Sequence, residues 1–328
     1  MTGLLEGTVP DVIVRGGAVP LALPAVILDA GEHASRRFVE FFTANIRNPN
    51  TRAAYARAAA QFLRWCEDNR LSLGDLGPAV VSAYVEQLMR TRSAPTVKQH
   101  LAAVRMIFDW LVVGQVLPAN PAASVRGPRH VVRKGKTVVL SAAQARQLLD
   151  SIDASTLVGL RDRAIIGVMV YSFARVSAVV GMNVGDYWQN GKRWWLRLHE
   201  KGGKHHEVPA HHNAEAYLDA YLHAAGIGGQ AKRPLFRSAV GRTGALSENR
   251  FSRKDVLQMV KRRAAKADLP ARTCCHTFRA TGITAYLENG GTIENAQAIA
   301  AHESPRTTKL YDRRGDDITL DEVERILI

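Results

Sequence analysis

Residues 276–287 read HTFRATGITAYL, and residues 300–313 read AAHESPRTTKLYDR. The first stretch places His276 and Arg279 three residues apart, so on a helix they share one face. His302 follows 23 residues after Arg279, and Tyr311 follows nine residues after His302. Each residue alone has an ordinary structural explanation, since HxxR pairs and buried tyrosines are common. Their order, together with two stretches upstream, carries the functional interpretation.

The two upstream stretches are YSFARVSAVVGMNVGDY at 171–187 and LRLHEKGGKHHEVP at 196–209. Arg175 follows a long apolar helix predicted at 160–173. Lys201 lies beside Gly202-Gly203, and Asn190-Gly191 gives a second turn signal. Alternating and aromatic residues flank both turns, which predicts two or three short antiparallel strands in 186–209 with Lys201 on a hairpin.

The first third of the chain has a helical period. TRAAYARAAAQFLRWC at 51–66 follows Asn50, the predicted N-cap, and Pro78 suits the first turn of another helix. SAPTVKQHLAAVRMIFDWLV at 93–112 carries an apolar stripe. With a helix near 32–46, these segments predict a four-helix unit that can hold its own core.

Prolines then interrupt the pattern, and residues 119–136 carry five basic residues without one acid. A second domain begins near Ser141, where Ser141 and Gln144 form a capping-box pattern. Further helices are predicted at 212–225, 249–266, 276–288 and 293–301. The predicted fold class is therefore mainly α with a small antiparallel β-sheet (α+β). The predicted divisions are an N-terminal extension (1–30), a helical domain (31–118), a basic linker (119–136) and a second domain with a C-terminal helix (137–328).

The charge of the chain indicates what kind of molecule it binds. The 328 residues carry a net charge of +14 and a pI near 10.0. A polyanion that contacts both domains and the linker would explain this excess, and a basic surface that serves solubility is the alternative. The sequence contains no run of about 18 apolar residues, so no membrane-spanning helix is predicted. Three cysteines, Cys66, Cys274 and Cys275, argue against a disulfide framework and favour the cytoplasm.

The four quoted C-terminal stretches, in this order, resemble the tyrosine recombinase or phage integrase family, which includes the Xer and Cre recombinases and lambda integrase. The segments at 51–66 and 93–112 are similar to that family's core-binding domain. The resemblance implies a DNA-cleaving and rejoining enzyme in which Tyr311 attacks a phosphate and leaves a 3′-phosphotyrosyl link. It implies that Arg175 and Arg279 hold the phosphate and that Lys201 is the general acid. His276 would take the tyrosine proton or support the phosphate, and His302 would hydrogen-bond a phosphate oxygen.

The chemistry is consistent with this resemblance. Cleavage of a phosphodiester needs a nucleophile, neutralisation of charge on the phosphate oxygens and a proton for the leaving oxygen. Because the phosphotyrosine conserves the bond energy, no cofactor is expected, and the chain has no GxxxxGK[ST] loop. A metal site is the competing interpretation of the cluster His199, His205, His206, His211 and His212. No HExxH motif or nearby cysteine supports it, so a polar surface is favoured and no metal is expected.

Three positions depart from the family pattern. A carboxylate commonly follows three residues after the first arginine, where this chain has Ala178. Asp186 is a candidate to hold Arg175 in its place. Ala280 stands where histidine is frequent after the second arginine, and Ala301 stands where glycine is frequent before the later histidine. None of these departures removes a predicted catalytic group, so activity is expected.

Double-stranded DNA is the expected partner, held by a clamp of two basic domains. The candidate phosphate contacts are Arg52, Lys98, Arg105, Arg126, Arg129, Arg133, Lys134, Lys136 and Lys204. The resemblance implies a homotetramer on paired DNA sites, with a C-terminal helix that docks on a neighbouring protomer through Leu320, Val323, Ile326 and Leu327. Packing of that helix on its own subunit is the alternative. An accessory DNA-bending or directionality protein is left open.

Two other functions compete with recombination. A DNA-relaxing enzyme of the type IB topoisomerase kind shares the chemistry, and a DNA-binding regulator without activity could share the fold. A recombinase transfers strands between two sites, whereas a type IB topoisomerase relaxes a single plasmid, so these two assays distinguish the first alternative from recombination. The intact set of six residues argues against the second.

Overall fold

A computed structural model describes residues 23–131, 135–200, 205–241 and 243–313. These residues fall into two compact units, 23–131 and 135–313. The first is helical and the second is helical with two small antiparallel sheets, which confirms the predicted α+β class. No helix within these ranges combines the length and the apolar character needed to cross a membrane.

The first unit is built from five α-helices in its described part. They are α1 (Ala25–Leu28), α2 (Glu32–Glu40), α3 (Pro49–Asp68), α4 (Pro78–Thr91) and α5 (Ala94–Val113), with a π-turn at Phe41–Asn45 and a 3₁₀ turn at Leu73–Asp75. Phe62 on α3 lies in the middle of the core, edge-on to Tyr84 at 5.0 Å and to Phe108 at 5.8 Å between ring centroids. Burial of such aromatic rings is a large stabilising contribution for a unit of this size.

Two details of this unit differ from the sequence expectation. Asn48, and not Asn50, caps α3, because its side chain accepts hydrogen bonds from the backbone N–H groups of Asn50 and Thr51 and Pro49 occupies the first helical position. The core also extends beyond 31–118. Ile27 of α1 is buried in it, as are Ala122 and Val125 after α5.

The second unit has eight α-helices and five strands in its described part. The helices are α6 (Ala142–Asp150), α7 (Leu157–Tyr171), α8 (Val176–Gly181), α9 (His212–Ala225), α10 (Arg253–Lys266), α11 (Cys275–Glu288), α12 (Ile293–Ile299) and α13 (Pro305–Lys309). The strands are β1 (Tyr187–Asn190), β2 (Arg193–His199), β3 (His205–Pro209), β4 (Arg237–Ala239) and β5 (Leu246–Arg250). Strands β1–β2–β3 form an antiparallel sheet, and β4 pairs with β5.

The helix predicted at 249–266 starts later than expected. Residues 246–250 are strand β5, and Ser252 caps α10 by accepting from the backbone N–H of Asp255. The pair β4–β5 has few apolar residues, so its pattern did not indicate a sheet.

Helix α7 is the central element of this unit, buried on nearly all sides, and it packs against α9 and α11. Gly282 allows the close approach of α11, because a Cβ atom there would lie 2.1 Å from the carbonyl oxygen of Val170. Helix α11 is itself almost wholly buried. The packing therefore fixes the helix that carries His276 and Arg279 against the end of α7, from which the chain continues to Arg175.

Candidate active site

The side chains of His276 and Tyr311 meet directly. His276 Nε2 lies 2.7 Å from the hydroxyl oxygen of Tyr311, and the two rings are 6.0 Å apart between centroids. The backbone of Tyr311 is held on both sides, since its carbonyl oxygen accepts from the Thr284 hydroxyl at 2.9 Å and its N–H donates to Thr308 at 2.9 Å. Only 7% of Tyr311 is exposed. The hydroxyl is thus fixed beside an imidazole on a rigid helix.

Arg279 is buried one turn further along α11, with 1% exposure. Its guanidinium donates to the carbonyl oxygens of Phe173 and, at 2.6 Å, of Ala300. Its Nε is buried and makes no hydrogen bond of good geometry within the described residues, although the guanidinium lies close enough to the Tyr311 hydroxyl to act on its pKa. Buried donors are normally paired, so this donor is suited to an acceptor that arrives with a ligand.

The backbone at the end of α12 determines the position of His302. Ala301 has φ of 47°, in the left-handed region, and the His302 N–H donates back to the carbonyl of Gln297 at 3.1 Å. This conformation explains why glycine suits the position of Ala301. The His302 ring is nearly parallel to that of Tyr311, 5.8 Å apart at 8°, and its Nδ1 lies 2.9 Å from the Thr308 hydroxyl. Thr308 therefore contacts both His302 and the Tyr311 backbone.

Arg175 occupies the N-cap position of α8 without a side-chain capping bond, and it is partly exposed. Its Nη1 donates to Glu200 Oε2 at 2.5 Å. The suggestion that Asp186 holds Arg175 is therefore wrong. Asp186 instead accepts from the backbone N–H of Asn183 at 2.9 Å and pairs with His199 at 3.1 Å. Glu200, at the end of β2, supplies the carboxylate.

Burial and mutual charge shift the pKa values of these groups. Burial raises the pKa of Tyr311, while the charges of Arg279 and Arg175 act in the opposite direction. Desolvation, followed by the charges of Arg279 and Arg175, lowers the pKa of His276, although the residue as a whole is exposed. The same causes lower the pKa of His302 to about 3. Burial, followed by the charge of Arg175, lowers the pKa of Arg279 to about 10.

These shifts keep the Tyr311 hydroxyl protonated and the His276 and His302 rings neutral at neutral pH. Since His276 is neutral, its Nε2 can accept the proton that the tyrosine hydroxyl must lose to become a nucleophile. Arg175 and His276 also line a groove of about 790 Å³ together with Cys274 and the first turn of α10. Of the candidate catalytic residues, Arg175 and His276 line this groove, and the Tyr311 hydroxyl lies behind His276 at hydrogen-bond distance. The arrangement suits attack of Tyr311 on an anionic group bound beside Arg175 and His276.

Five of the six predicted catalytic residues interact as described, and Lys201 lies outside the described residues, between the end of β2 and the start of β3. Thr308 and Glu200 were missed, because a single threonine in the short helix α13 and a single glutamate after a strand give no spacing signal.

The predicted DNA contacts are spread over both units. Lys98, Arg126, Arg129 and Lys136 are exposed, whereas Arg133, Lys134 and Lys204 lie outside the described residues. Arg52 donates from Nε and Nη2 to the carbonyl of Ile46. Arg105 donates to the carbonyls of Ala122 and Val125, so it holds the segment after α5 in place. DNA contact by any of these residues stays a prediction.

The histidine cluster has separate roles in the described parts of the chain. His206 Nε2 donates to the carbonyl of Ile299 at 2.9 Å, and His211 accepts from the N–H of Asn213 at 3.2 Å. His199 and His205 lie edge to face, 4.7 Å apart. No group of three or more metal-ligating side chains is arranged around one point within the described ranges.

The segment that carries Tyr311 is also bonded to the start of the second unit. The N–H of Gly135 donates to the Leu310 carbonyl at 3.0 Å, and Arg313 Nη2 donates to the Gly135 carbonyl at 2.8 Å. The backbone at Gly135 therefore holds the chain on both sides of Tyr311.

We expect Gly135→Ala to disturb Tyr311 more than the rest of the unit. A Cβ at residue 135 would lie 2.7 Å from the Leu310 carbonyl oxygen, so the Leu310 backbone must shift. The expected result is a loss of about 1–3 kcal/mol in stability and a slower attack by Tyr311, with DNA affinity retained. Gly228→Ala is the matched control, since a Cβ there meets nothing within 4 Å. Equal rates of attack for the two variants would refute a positioning effect.

A tyrosine hydroxyl that meets a histidine beside two arginines, on a chain with a helical first unit and a helical second unit with small sheets, agrees with the class of enzymes that break and rejoin DNA through a tyrosine. The chain belongs to the phage integrase family. The model of that family, described as "Phage integrase family", matches residues 138–316, and the model of the phage integrase N-terminal SAM-like domain matches residues 36–116.

Curated relatives are similar over most of the chain. Tyrosine recombinase XerC of Shigella dysenteriae serotype 1 (strain Sd197) is 27% identical over 270 residues, which cover 80% of this chain and 85% of that protein. XerC of Escherichia coli O127:H6 (strain E2348/69 / EPEC) is 29% identical over 222 residues, which cover 66% and 69%. The chain is accordingly a tyrosine-type site-specific DNA recombinase, and these relatives do not favour a relaxing enzyme or an inactive regulator.

Solved structures have the same fold. XerH recombinase bound to its difH substrate, in a pre-cleavage complex, matches with a TM-score of 0.66 and 15% identity over 92% of this chain and 95% of that one. A lambda integrase tetramer bound to a Holliday junction matches with a TM-score of 0.66 and 16% identity over 88% and 79%. At these identities the comparison concerns the fold alone.

Proposed function

We propose that Tyr311 is the nucleophile of this recombinase and that Arg175, Lys201, His276, Arg279 and His302 assist it. The observation that carries the proposal is the 2.7 Å contact between the Tyr311 hydroxyl and His276 Nε2, beside two arginines whose charges act on both groups. The tyrosine oxygen attacks the scissile phosphorus, and its proton passes to His276. The bond from phosphorus to the 5′-oxygen breaks, and Lys201 gives that oxygen a proton.

The products of this step are a 3′-phosphotyrosyl link and a free 5′-hydroxyl. Attack by the 5′-hydroxyl of another strand reverses the step and rejoins the DNA, so the reaction needs no nucleotide cofactor. Arg175 and Arg279 neutralise the charge that develops on the phosphate oxygens, and the fork of a guanidinium matches two of these oxygens. His302, neutral because of its low pKa, donates a hydrogen bond to one of them.

The proposal extends to the assembly. DNA lies across both units, with phosphate contacts from the basic residues named above, and the protein works as a tetramer on two paired sites. The family resemblance implies a C-terminal helix that joins neighbouring protomers, and its expected contact residues Leu320, Val323, Ile326 and Leu327 lie outside the described residues. An accessory DNA-bending or directionality protein belongs to the same proposal, as do a cytoplasmic location and the division into a helical DNA-binding domain, a basic linker and a catalytic domain.

A direct experiment compares two substrates. Incubation with two DNA molecules that each carry the recombination site should exchange strands between them. A supercoiled plasmid without the site should keep its supercoils. Relaxation of that plasmid without strand exchange would assign the chain to the relaxing enzymes instead.

A further inference from the structure

We propose that Glu200 is the positioning residue that presents Arg175 to the scissile phosphate. The inference rests on the proposed function of Arg175 as a phosphate-binding residue. Nothing in the order of the catalytic residues points to Glu200, and it is the ion pair in the structure that singles it out.

The burial of the pair is asymmetric. Arg175 Nη1 and Glu200 Oε2 are 2.5 Å apart, with 6% of the Glu200 side chain exposed and 38% of the Arg175 side chain exposed. The carboxylate therefore lies beneath the guanidinium, which remains open towards the groove. A guanidinium has five N–H donors in a fixed fork, and this contact uses one of them. Glu200 can thus fix the orientation of Arg175 while other donors face the entering DNA.

The charge of Glu200 is needed for a second reason. Two guanidinium groups that converge on one phosphate repel each other before the phosphate arrives, and the charge of Arg175 accordingly lowers the pKa of Arg279. Glu200 acts on Arg279 in the opposite direction. One buried carboxylate therefore offsets part of the repulsion between the two arginines and keeps them together in the free enzyme.

Helix α8 offers no substitute for this carboxylate at the next turn. Arg175 precedes α8, and Ala178 on that helix is fully buried with an apolar methyl side chain. The carboxylate reaches Arg175 from the end of β2 instead. Since Glu200 directly precedes Lys201, the ion pair also anchors the strand end next to the proposed general acid. On the opposite strand, His206 bonds to the carbonyl of Ile299, near His302.

The same hairpin offers a matched control. Glu207 on β3 accepts from Arg197 Nε at 2.8 Å, and 46% of its side chain is exposed. Both glutamates thus pair with an arginine at short distance, but Glu207 pairs at the surface. Exposed ion pairs contribute little free energy to the folded structure. Glu207→Gln should therefore change the cleavage rate by no more than about twofold.

The experiment measures single-turnover formation of the covalent adduct on a nicked site duplex, together with DNA binding and thermal melting. Glu200→Gln should lower the rate about 10- to 100-fold, as expected for a misplaced phosphate-binding group, with DNA binding near wild type. Glu200→Asp, which keeps the charge, should be faster than Glu200→Gln. In an Arg175→Ala background, Glu200→Gln should cause no further loss, because the group through which it acts is gone.

A substrate with sulfur as the 5′ leaving atom separates Glu200 from Lys201, because a thiolate leaves without a proton. Sulfur should rescue Lys201→Ala and should not rescue Glu200→Gln. Rescue of Glu200→Gln would show that Glu200 acts through Lys201, and a wild-type rate or an equal loss in the Arg175→Ala background would also overturn the proposal. A wild-type rate for Arg175→Ala itself would instead show that the proposed function of Arg175 is wrong.

Discussion

Tyr311→Phe should form no covalent adduct with DNA while it still binds its site. The substitution removes one oxygen atom, and that oxygen is the group that lies 2.7 Å from His276. The loss should reach the detection limit, because phenylalanine has no nucleophile to offer. The free energy of unfolding should change by no more than about 1.5 kcal/mol, the usual contribution of one hydrogen bond. Gel analysis of the denatured reaction on a nicked duplex measures the adduct.

Tyr286→Phe is the matched control for this result. Tyr286 lies on α11, the helix that carries His276, and its ring contacts Phe173 at 5.9 Å between centroids. Removal of its hydroxyl should leave adduct formation at the wild-type level. If Tyr311→Phe still yields adduct, or if Tyr286→Phe abolishes it, another residue attacks the phosphate.

Arg279→Ala should reduce cleavage by about two to three orders of magnitude, or about 3–4 kcal/mol in the barrier, as is typical when one preorganised phosphate donor is lost. The reason lies in its geometry, since two carbonyls fix the guanidinium while its buried Nε makes no hydrogen bond of good geometry within the described residues. DNA binding should be mostly retained, because many other cations contribute to it. Single-turnover rates and gel shifts on the same duplex measure the two effects.

The alanine variant will also lose stability, because the carbonyl oxygens of Phe173 and Ala300 are left without this donor, at about 1–3 kcal/mol. Arg279→Lys is therefore needed as a second variant. It keeps the charge but not the fork, so it should remain well below the wild-type rate. Arg193→Ala, at an exposed position on β2, controls for the loss of one positive charge. Cleavage by Arg279→Ala near the wild-type rate would contradict the proposed role.

Much of the fold could be predicted from the sequence because its signals are local. The apolar periods of α3, α4 and α5 and the capping box at Ser141 indicate helices without reference to the rest of the chain. The Asn190-Gly191 turn likewise indicates the hairpin β1–β2. The pair β4–β5 could not be predicted, because its strands are short and polar and are defined by their pairing.

The candidate site likewise has a part that the sequence could predict and a part that it could not. His276, Arg279, His302 and Tyr311 follow one another at spacings that resemble those of the family, so their residue types and order were sufficient to propose them, and the structure brings their side chains together. Glu200 was not found because its role depends on a contact between the end of β2 and the residue before α8, 25 positions apart. The hydrogen bond from Gly135 to Leu310, next to Tyr311, joins residues that are 175 positions apart and involves backbone atoms alone. Neither interaction leaves a pattern in the sequence.

Identification of the amino acid that becomes attached to DNA is the most direct test of the central claim. Trypsin should release the four-residue peptide LYDR at 310–313, since it follows Lys309 and ends at Arg313. After nuclease trimming of the adduct, mass spectrometry should find a nucleotide 3′-phosphate on Tyr311 of this peptide. A nucleotide on any other residue, with LYDR unmodified, would contradict the account.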